Sequence, residues 1–224
     1  MKYLKNKKTV IALLSLLLVL CITAASTAAY LNSITGEQRN VFTPSRNISA
    51  RLQEPNWNEA EGLKLVPGKM VRKDPMIVNT CNIDEYVAIR LTFQDESGSQ
   101  MSETDLKKLL DLLVIDWNSD WVLTSGTIST NPPVQPFVFY CKTILEPGKT
   151  TQPLFSSITV KDESDGLTEA QLRWLQGVKI TNGNIVNDPD GIGKFQIKVE
   201  GAAVQAVGFE NAAGAADTLK ALFP

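Results

Sequence analysis

Glu85-Tyr86-Val87-Ala88-Ile89-Arg90-Leu91-Thr92-Phe93 is the stretch that decides the fold. Val87, Ile89, Leu91 and Phe93 alternate with Ala88, Arg90 and Thr92, the period of two that sends successive side chains to opposite faces of a strand. The pattern predicts one buried and one wet face, as in an antiparallel sheet that covers a core on one side. Similar short runs recur outward from it. Upstream, residues 47–53 alternate through Ile48, Ala50 and Leu52, and residues 76–78 are β-prone. Downstream come residues 121–123, 137–145, 154–160, 178–180 and 195–199, the last continuing through Val204 and Val207. Pro67-Gly68, Glu146-Pro147-Gly148, Asn182-Gly183 and Asp188-Pro189-Asp190-Gly191 punctuate the runs as turns. Turn signals at roughly ten-residue spacing favour a mainly β, antiparallel sandwich over βαβ units.

Three helices interrupt this rhythm. Ser102 caps a periodic run through Leu106, Leu109, Leu110, Leu112 and Leu113, with Glu103 and Asp105 in its first turn. Thr168 opens a second helix over residues 168–175, and residues 211–222 form an Ala-rich third, weakened by Gly214. Peripheral helices of this kind are expected at the edges or ends of the sandwich.

The N-terminus reads as a secretory leader. Lys2, Lys5, Lys7 and Lys8 precede an uncharged run over residues 9–22, and small residues lead to Ala28-Ala29-Tyr30. A basic end, an apolar stretch and a small-residue junction are the three parts of a signal peptide. The strongly apolar part is roughly 14 residues, short of the ~20 of a spanning helix, so a cleaved signal over residues 1–29 is preferred to a retained anchor. The cut falls after Ala28 or Ala29. Cys21 follows Leu20, not the small residue a lipid-modification site wants, and reads as an apolar member of the leader.

Residues 30–224 are then one domain with a sizeable core. Four of the 22 basic residues and none of the 24 acids fall in the leader, leaving an acidic remainder of 18 bases against 24 acids. That balance argues against nucleic acid and against anionic lipid, leaving membrane contact to an uncleaved leader. The chain has no His. Ser-His-Asp and Cys-His catalysis and the paired-His zinc motif are thereby excluded, leaving carboxylates, Lys or Tyr for any chemistry.

Each remaining candidate has two readings. An exported setting permits a bridge between Cys81 and Cys141, and two buried free thiols serve equally well. Lys73-Asp74-Pro75 reads first as a structural turn: Pro75 fixes its own φ and extends Asp74, whose carboxylate can accept backbone amides. A catalytic Lys/Asp pair or an interface contact are its other readings. Asp188-x-Asp190-Gly191 is a turn with the flavour of a calcium loop, lacking the bidentate Glu. Asp95, Glu96, Glu103 and Asp105 are an acidic cluster or a solvated loop and helix start. Trp57, Trp117, Trp121 and Trp174 are a carbohydrate platform or, more simply, core and interface. Residues 30–47 can act as a flexible strand donated to a neighbouring subunit's open sheet edge, with Val41, Phe42, Ile48 and Leu52 as anchors. The other reading folds the segment back as the first strand of its own domain.

Several blocks together resemble the TasA/camelysin family of exported Gram-positive proteins. They are Pro67-Gly68, Lys73-Asp74-Pro75, Val78-Asn79-Thr80 and Tyr86-Val87. Others are Ala28-Ala29-Tyr30 followed by Asn40-x-Phe42-Thr43, and Tyr140, Lys142, Leu145, Pro147-Gly148, Thr150 or Thr151, and Leu154-Phe155. The closing strand from Phe195 to Gln205 completes the order. Cys81 departs from the pattern, which usually carries Gly after Asn-Thr, and the helical insert over residues 102–113 is a second departure. The resemblance implies a jelly-roll-like β-sandwich, export through a SipW-type signal peptidase, and a role at the cell surface or in the biofilm matrix. The residues themselves lead us to expect no cofactor, no metal and no catalytic residue. The expectation is a secreted, non-enzymatic protein, possible as a fibre subunit that self-assembles or joins related matrix proteins. A camelysin-like metalloprotease and a surface adhesion or carbohydrate-binding module are the alternatives.

Overall fold

A computed structural model describes residues 48–63, 65–128 and 133–223. The leader, the junction at Ala28, Ala29 and Tyr30, and Val41 and Phe42 lie outside the described residues. Eleven strands and four helices follow in order among those described. They are β1 (Ala50–Gln53), α1 (Glu59–Gly62), β2 (Met70–Arg72), β3 (Met76–Asn79), β4 (Glu85–Asp95), α2 (Glu103–Leu112), β5 (Leu113–Trp117), β6 (Trp121–Thr127) and β7 (Val134–Cys141). Then come β8 (Phe155–Val160), α3 (Glu169–Gln176), β9 (Val178–Thr181), β10 (Asn184–Asn187), β11 (Phe195–Gln205) and α4 (Ala212–Ala221).

All strand pairs are antiparallel. One sheet has the order β11-β4-β7-β6 and a second the order β2-β8-β5; β1-β3 and β9-β10 form two-stranded ladders. The chain is thus a mainly β, antiparallel sandwich. Its core lies between the first two sheets: Val87, Ile89, Leu91 and Phe93 of β4 meet Phe155, Ile158 and Val160 of β8 in one cluster. Trp117 of β5 ties the layers together, stacked on Phe139 of β7 at 5.2 Å and edge-on to Phe155 at 5.3 Å, spacings favourable for aromatic pairs.

β4 is the axis of the larger sheet, paired with β11 over eleven residues and with β7 over four. Beyond Leu91↔Phe137 the β7 ladder stops, because Pro136 has no amide to offer. The Gln135 side chain takes over: its Oε1 accepts from Phe93 N at 2.8 Å, and its Nε2 donates to Phe93 O and Met101 O. Gly126 of β6 approaches this region so closely that a Cβ would stand 2.5 Å from Val134 O. Its φ of +83° also calls for glycine.

The second face of β4 is not wet. Ala88 is fully buried and Arg90 nearly so. The reason is α4, capped by the Asn211 side chain, which lays Ala212, Ala215 and Leu219 against Tyr86, Ala88, Val138, Ala202 and Val204. Small side chains on both partners allow the close approach. A terminal helix expected at an edge or end therefore covers a sheet face. Arg90 reaches Glu200 across the β4–β11 pair at 2.7 Å, Lys198 meets the same carboxylate at 3.0 Å, and the Phe223 ring lies 5.0 Å from the Arg90 guanidinium.

Two further boundaries differ from the sequence reading. The Leu-rich helix keeps Leu106, Leu109 and Leu112 but releases Leu113, whose backbone is extended and pairs with Val160 to begin β5. The β-branched and aromatic run Val114-Ile115-Asp116-Trp117 explains the switch. The strand expected over residues 137–145 is instead Val134–Cys141, and Leu145 returns only as an isolated bridge to Glu85. The Asn182-Gly183 turn makes a hairpin of β9 and β10 that pairs with no other strand among the described residues, with Ile180 directly opposite Ile185. The helix before it, α3, ends at Gly177 with φ +67°, where Gly193 leaves no room for a Cβ.

Truncating Leu219 to Ala, on the buried face of α4, is expected to cost about 2–5 kcal/mol in urea unfolding. Leu222→Ala, half exposed, should stay within about 0.5 kcal/mol. The Glu200 carboxyl gives a pH signature. Burial pushes it up, but hydrogen bonds and charge from Lys198 and Arg90 outweigh this and hold it below its ordinary value of 4.5. A depressed acid contributes stability that is fully present above pH 4.5 and fades as pH falls below it. The stability gap between wild type and Glu200→Gln should therefore narrow as pH drops through and below 4.5.

Candidate functional site

The motif residues converge on the end of the sandwich where β3 leaves for β4. Asn79, the last residue of β3, is fully buried. Its Nδ2 donates to Ile83 O at 2.7 Å and to Leu145 O at 2.8 Å, while its Oδ1 accepts from Cys81 N at 2.9 Å. Its main chain bonds Lys149 O and Gly148 N. One amide side chain thus shapes the 80–84 loop and fastens it to the Pro147-Gly148 turn. Thr80 donates through Oγ1 to Ser49 O at 2.7 Å, and its own N–H goes to the same carbonyl. Thr151, not Thr150, turns inward and accepts from Ile77 N at 3.0 Å.

Lys73-Asp74-Pro75 forms a buried clasp beside this knot. Lys73 Nζ pairs with Glu54 Oε1 at 2.7 Å and lies 4.7 Å over the Trp57 ring. Asp74 accepts from Asn56 N at 3.0 Å and Asn56 Nδ2 at 2.7 Å, and Pro75 O accepts from Leu154 N. Both ionised side chains have partners from residues 54–57, so the motif anchors the segment between β1 and α1. Tyr86 points the other way, packed edge-on to Phe209 under α4.

Cys81 and Cys141 are both free thiols, so the bridge is not formed. Cys141 lies in the β7 core near Thr143 Oγ1. Cys81 is half-buried, with Asn79 Oδ1, Ile83 O and Glu85 Oε1 at 3.0, 3.3 and 3.2 Å from its Sγ. Glu85 is wholly buried; its Oε1 also accepts from Ser49 N, and its Oε2 has no hydrogen-bond partner. Burial raises its carboxyl above the ordinary range, against the opposing hydrogen bonds from Cys81 and Ser49. Glu85 was missed in the sequence because a carboxylate at the start of a strand looks like a surface residue. Its signal was its place at the head of the clearest strand in the sequence.

Ile48 and Leu52 pack against this chain's own core, and Leu52 pairs with Ile77 in the β1–β3 ladder. As anchors for a neighbouring subunit these two are already spent within their own domain. The tryptophans do not form a platform. Trp121 is buried with its Nε1 on Gln152 O, Trp117 lies between the sheets, and Trp174 donates to Asp190 O. Trp57 alone of the four is appreciably exposed, and Lys73 sits over it.

The acidic candidates separate too. Asp95 closes its own turn by accepting from Ser97 and Ser99, Glu96 pairs with Lys194, and Asp105 receives Ser102 Oγ in the helix cap. Asp188 pairs with Lys179 at 3.3 Å and accepts from Asp190 N, the arrangement of a turn. No helix among the described residues is long and apolar enough to cross a membrane.

A second feature lies at the far side of the smaller sheet. β5 is its edge strand, and no described strand pairs with its outer side. A groove of about 320 Å³ runs beside it, lined by Leu110, Asp111, Leu113, Val114, Ile115, Trp117 and Ile128. Val114 is about half exposed. On the inner side, Asp116 sits at a bulge and accepts from Ser156 Oγ at 2.6 Å and from the Ser156 and Ser157 amides. Burial pushes the Asp116 carboxyl up, but these bonds prevail and hold it below the ordinary carboxylate range. The β5–β8 pairing is therefore fixed by a charged side chain while the outer edge stays open.

Comparison with family models, with curated proteins and with solved structures finds no match to this chain.

Removing the Asn79 side chain should take the amide donor from Ile83 O and the acceptor from Cys81 N, while Leu145 O keeps its bond from Glu85 N. Each orphaned buried group costs about 1–3 kcal/mol. Asn79→Ala is therefore expected to lose about 3 kcal/mol or more in chemical unfolding, and the exposed Thr80→Ala only about 1 kcal/mol.

Proposed function

We propose that this chain is an exported, non-enzymatic surface or matrix protein of the TasA/camelysin type that assembles head to tail by strand donation. The observation that carries the reading is the outer edge of β5, which no described strand pairs, with the groove beside it. An open edge supplies main-chain donors and acceptors for an incoming strand, and a flanking groove supplies pockets for alternate side chains. The donor is residues 30–47 of a neighbouring copy, freed at Ala28-Ala29-Tyr30 by a SipW-type peptidase. With Ile48 and Leu52 packed at home, Val41 and Phe42 are its apolar anchors. Such a contact joins two different surfaces, does not close on itself and so propagates into fibres. The acidic balance and the absence of His agree with a structural role outside the cytoplasm.

Size-exclusion chromatography and electron microscopy of protein beginning at Tyr30 test the reading. Filaments or a concentration-dependent ladder of oligomers are expected. Starting the chain at Ile48, or placing a charge on the edge with Val114→Lys, should leave monomers of unchanged fold. A strict monomer at high concentration, the same with and without residues 30–47, overturns it.

A further inference from the structure

Two acids are buried among the described residues, Asp74 and Glu85. Asp74 has a donor for each oxygen, Asn56 N and Asn56 Nδ2. Glu85 does not. Its Oε1 lies 3.1 Å from Ser49 N and 3.2 Å from Cys81 Sγ, while Oε2 has no partner. None of the ion pairs among the described residues includes it. Ser49 meets it from the approach to β1 and Cys81 from the 80–84 loop; its backbone partners are Leu145, after β7, and Gln205 of β11. The charged residues of these segments, Arg51, Asp84, Glu146 and Lys149, are exposed, and the other thiol, Cys141, bonds to Thr143.

We propose that Glu85 is held as the neutral acid and works as a proton-operated latch on the entry to β1. A buried carboxylate without a cation or a full set of donors is far costlier than a neutral carboxyl, so the group keeps its proton. Burial is the largest influence on it and outweighs the bonds from Cys81 and Ser49. The proton has an acceptor within reach. Carried on Oε1, it points to Cys81 Sγ, whose own hydrogen goes to Asn79 Oδ1 at 3.0 Å. What the latch holds is Ser49, through which residues 30–47 run into the body. Its N–H goes to Glu85 Oε1, and its carbonyl accepts from Thr80 N and Thr80 Oγ1.

When the proton leaves, the charge needs water. The thinnest cover is the 80–84 loop, where Asn82 and Asp84 are exposed and Cys81 is half-buried. Water entering there displaces the loop and loosens its hold on Ser49. The sign is opposite to that of Glu200. The folded chain keeps a proton that the unfolded chain has lost, so this group's contribution to stability falls as pH rises above 4.5. The N-terminal segment thereby has a pH-dependent root, and the latch does not rest on strand donation.

Carbon-13 NMR of the full-length wild-type chain, labelled at its glutamate carboxyls, tests the latch without a variant. One carboxyl is expected to stay protonated at about pH 6, where glutamates of ordinary pKa, about 4.3, are ionised. Glu85→Gln should remove that signal and leave the others. Hydrogen exchange at the Ser49 and Thr80 amides, corrected for its intrinsic pH dependence, supplies the second readout. It should rise about tenfold or more between about pH 5 and pH 8 in wild type and stay level in Glu85→Gln. A wild-type chain with every glutamate ionised at about pH 6 overturns the proposal. So does exchange that rises equally in Glu85→Gln.

Discussion

The two-sided pairing of β4 is the constraint on which the other elements depend. Its backbone is satisfied by β11 along its whole length and by β7 over its middle. Its side chains are buried on both faces, by the inter-sheet core and by α4. A strand enclosed in this way has no tolerance for a register shift, because a slip of one residue exchanges the two faces. Val87, Ile89, Leu91 and Phe93 fit a thick core, whereas Ala88 and the neighbouring alanines fit a closely packed helix. The ends of the strand are secured by side chains: Gln135 serves Phe93 at one end, and Glu85 sits in the Asn79 loop at the other.

Much of this was legible in residues 85–93. Alternation revealed the strand and its inward face, and Ser102 and Thr168 marked two helix starts to the residue. The outer face was not legible, since Ala88, Arg90 and Thr92 suit water as well as they suit a helix lid. Only the partner decides, and it lies more than a hundred residues away. Leu113 shows the same limit at shorter range. It continues the helical period of Leu106 and Leu109, yet pairing with Val160 draws it into a strand, a tertiary contact overriding a local pattern.

The candidate site was legible in part. Lys73, Asp74, Pro75, Asn79 and Thr80 stood out as a block, and Pro147-Gly148 as another. Their meeting through the Asn79 amide could not be read from order alone, because it depends on how β3 and the 145–151 segment pack. Asp74 and Lys73 find neutral and charged partners in residues 54–57, which turns a suggestive pair of ionised groups into an anchor. The hydrophobic period likewise placed Trp121 at the head of a strand, and left Trp117 beside a turn. It could not tell which would bridge two sheets and which would close a turn.

The β9–β10 hairpin stands apart from these dependencies. It leaves α3 through a glycine that tolerates no side chain, returns through residues 188–192, and shares no ladder with any other described strand. Its Ile180–Ile185 rung faces solvent. Such an appendage is a graft point. Its length and chemistry can drift while the body keeps its register, so diversification between related chains can concentrate there at little cost to folding.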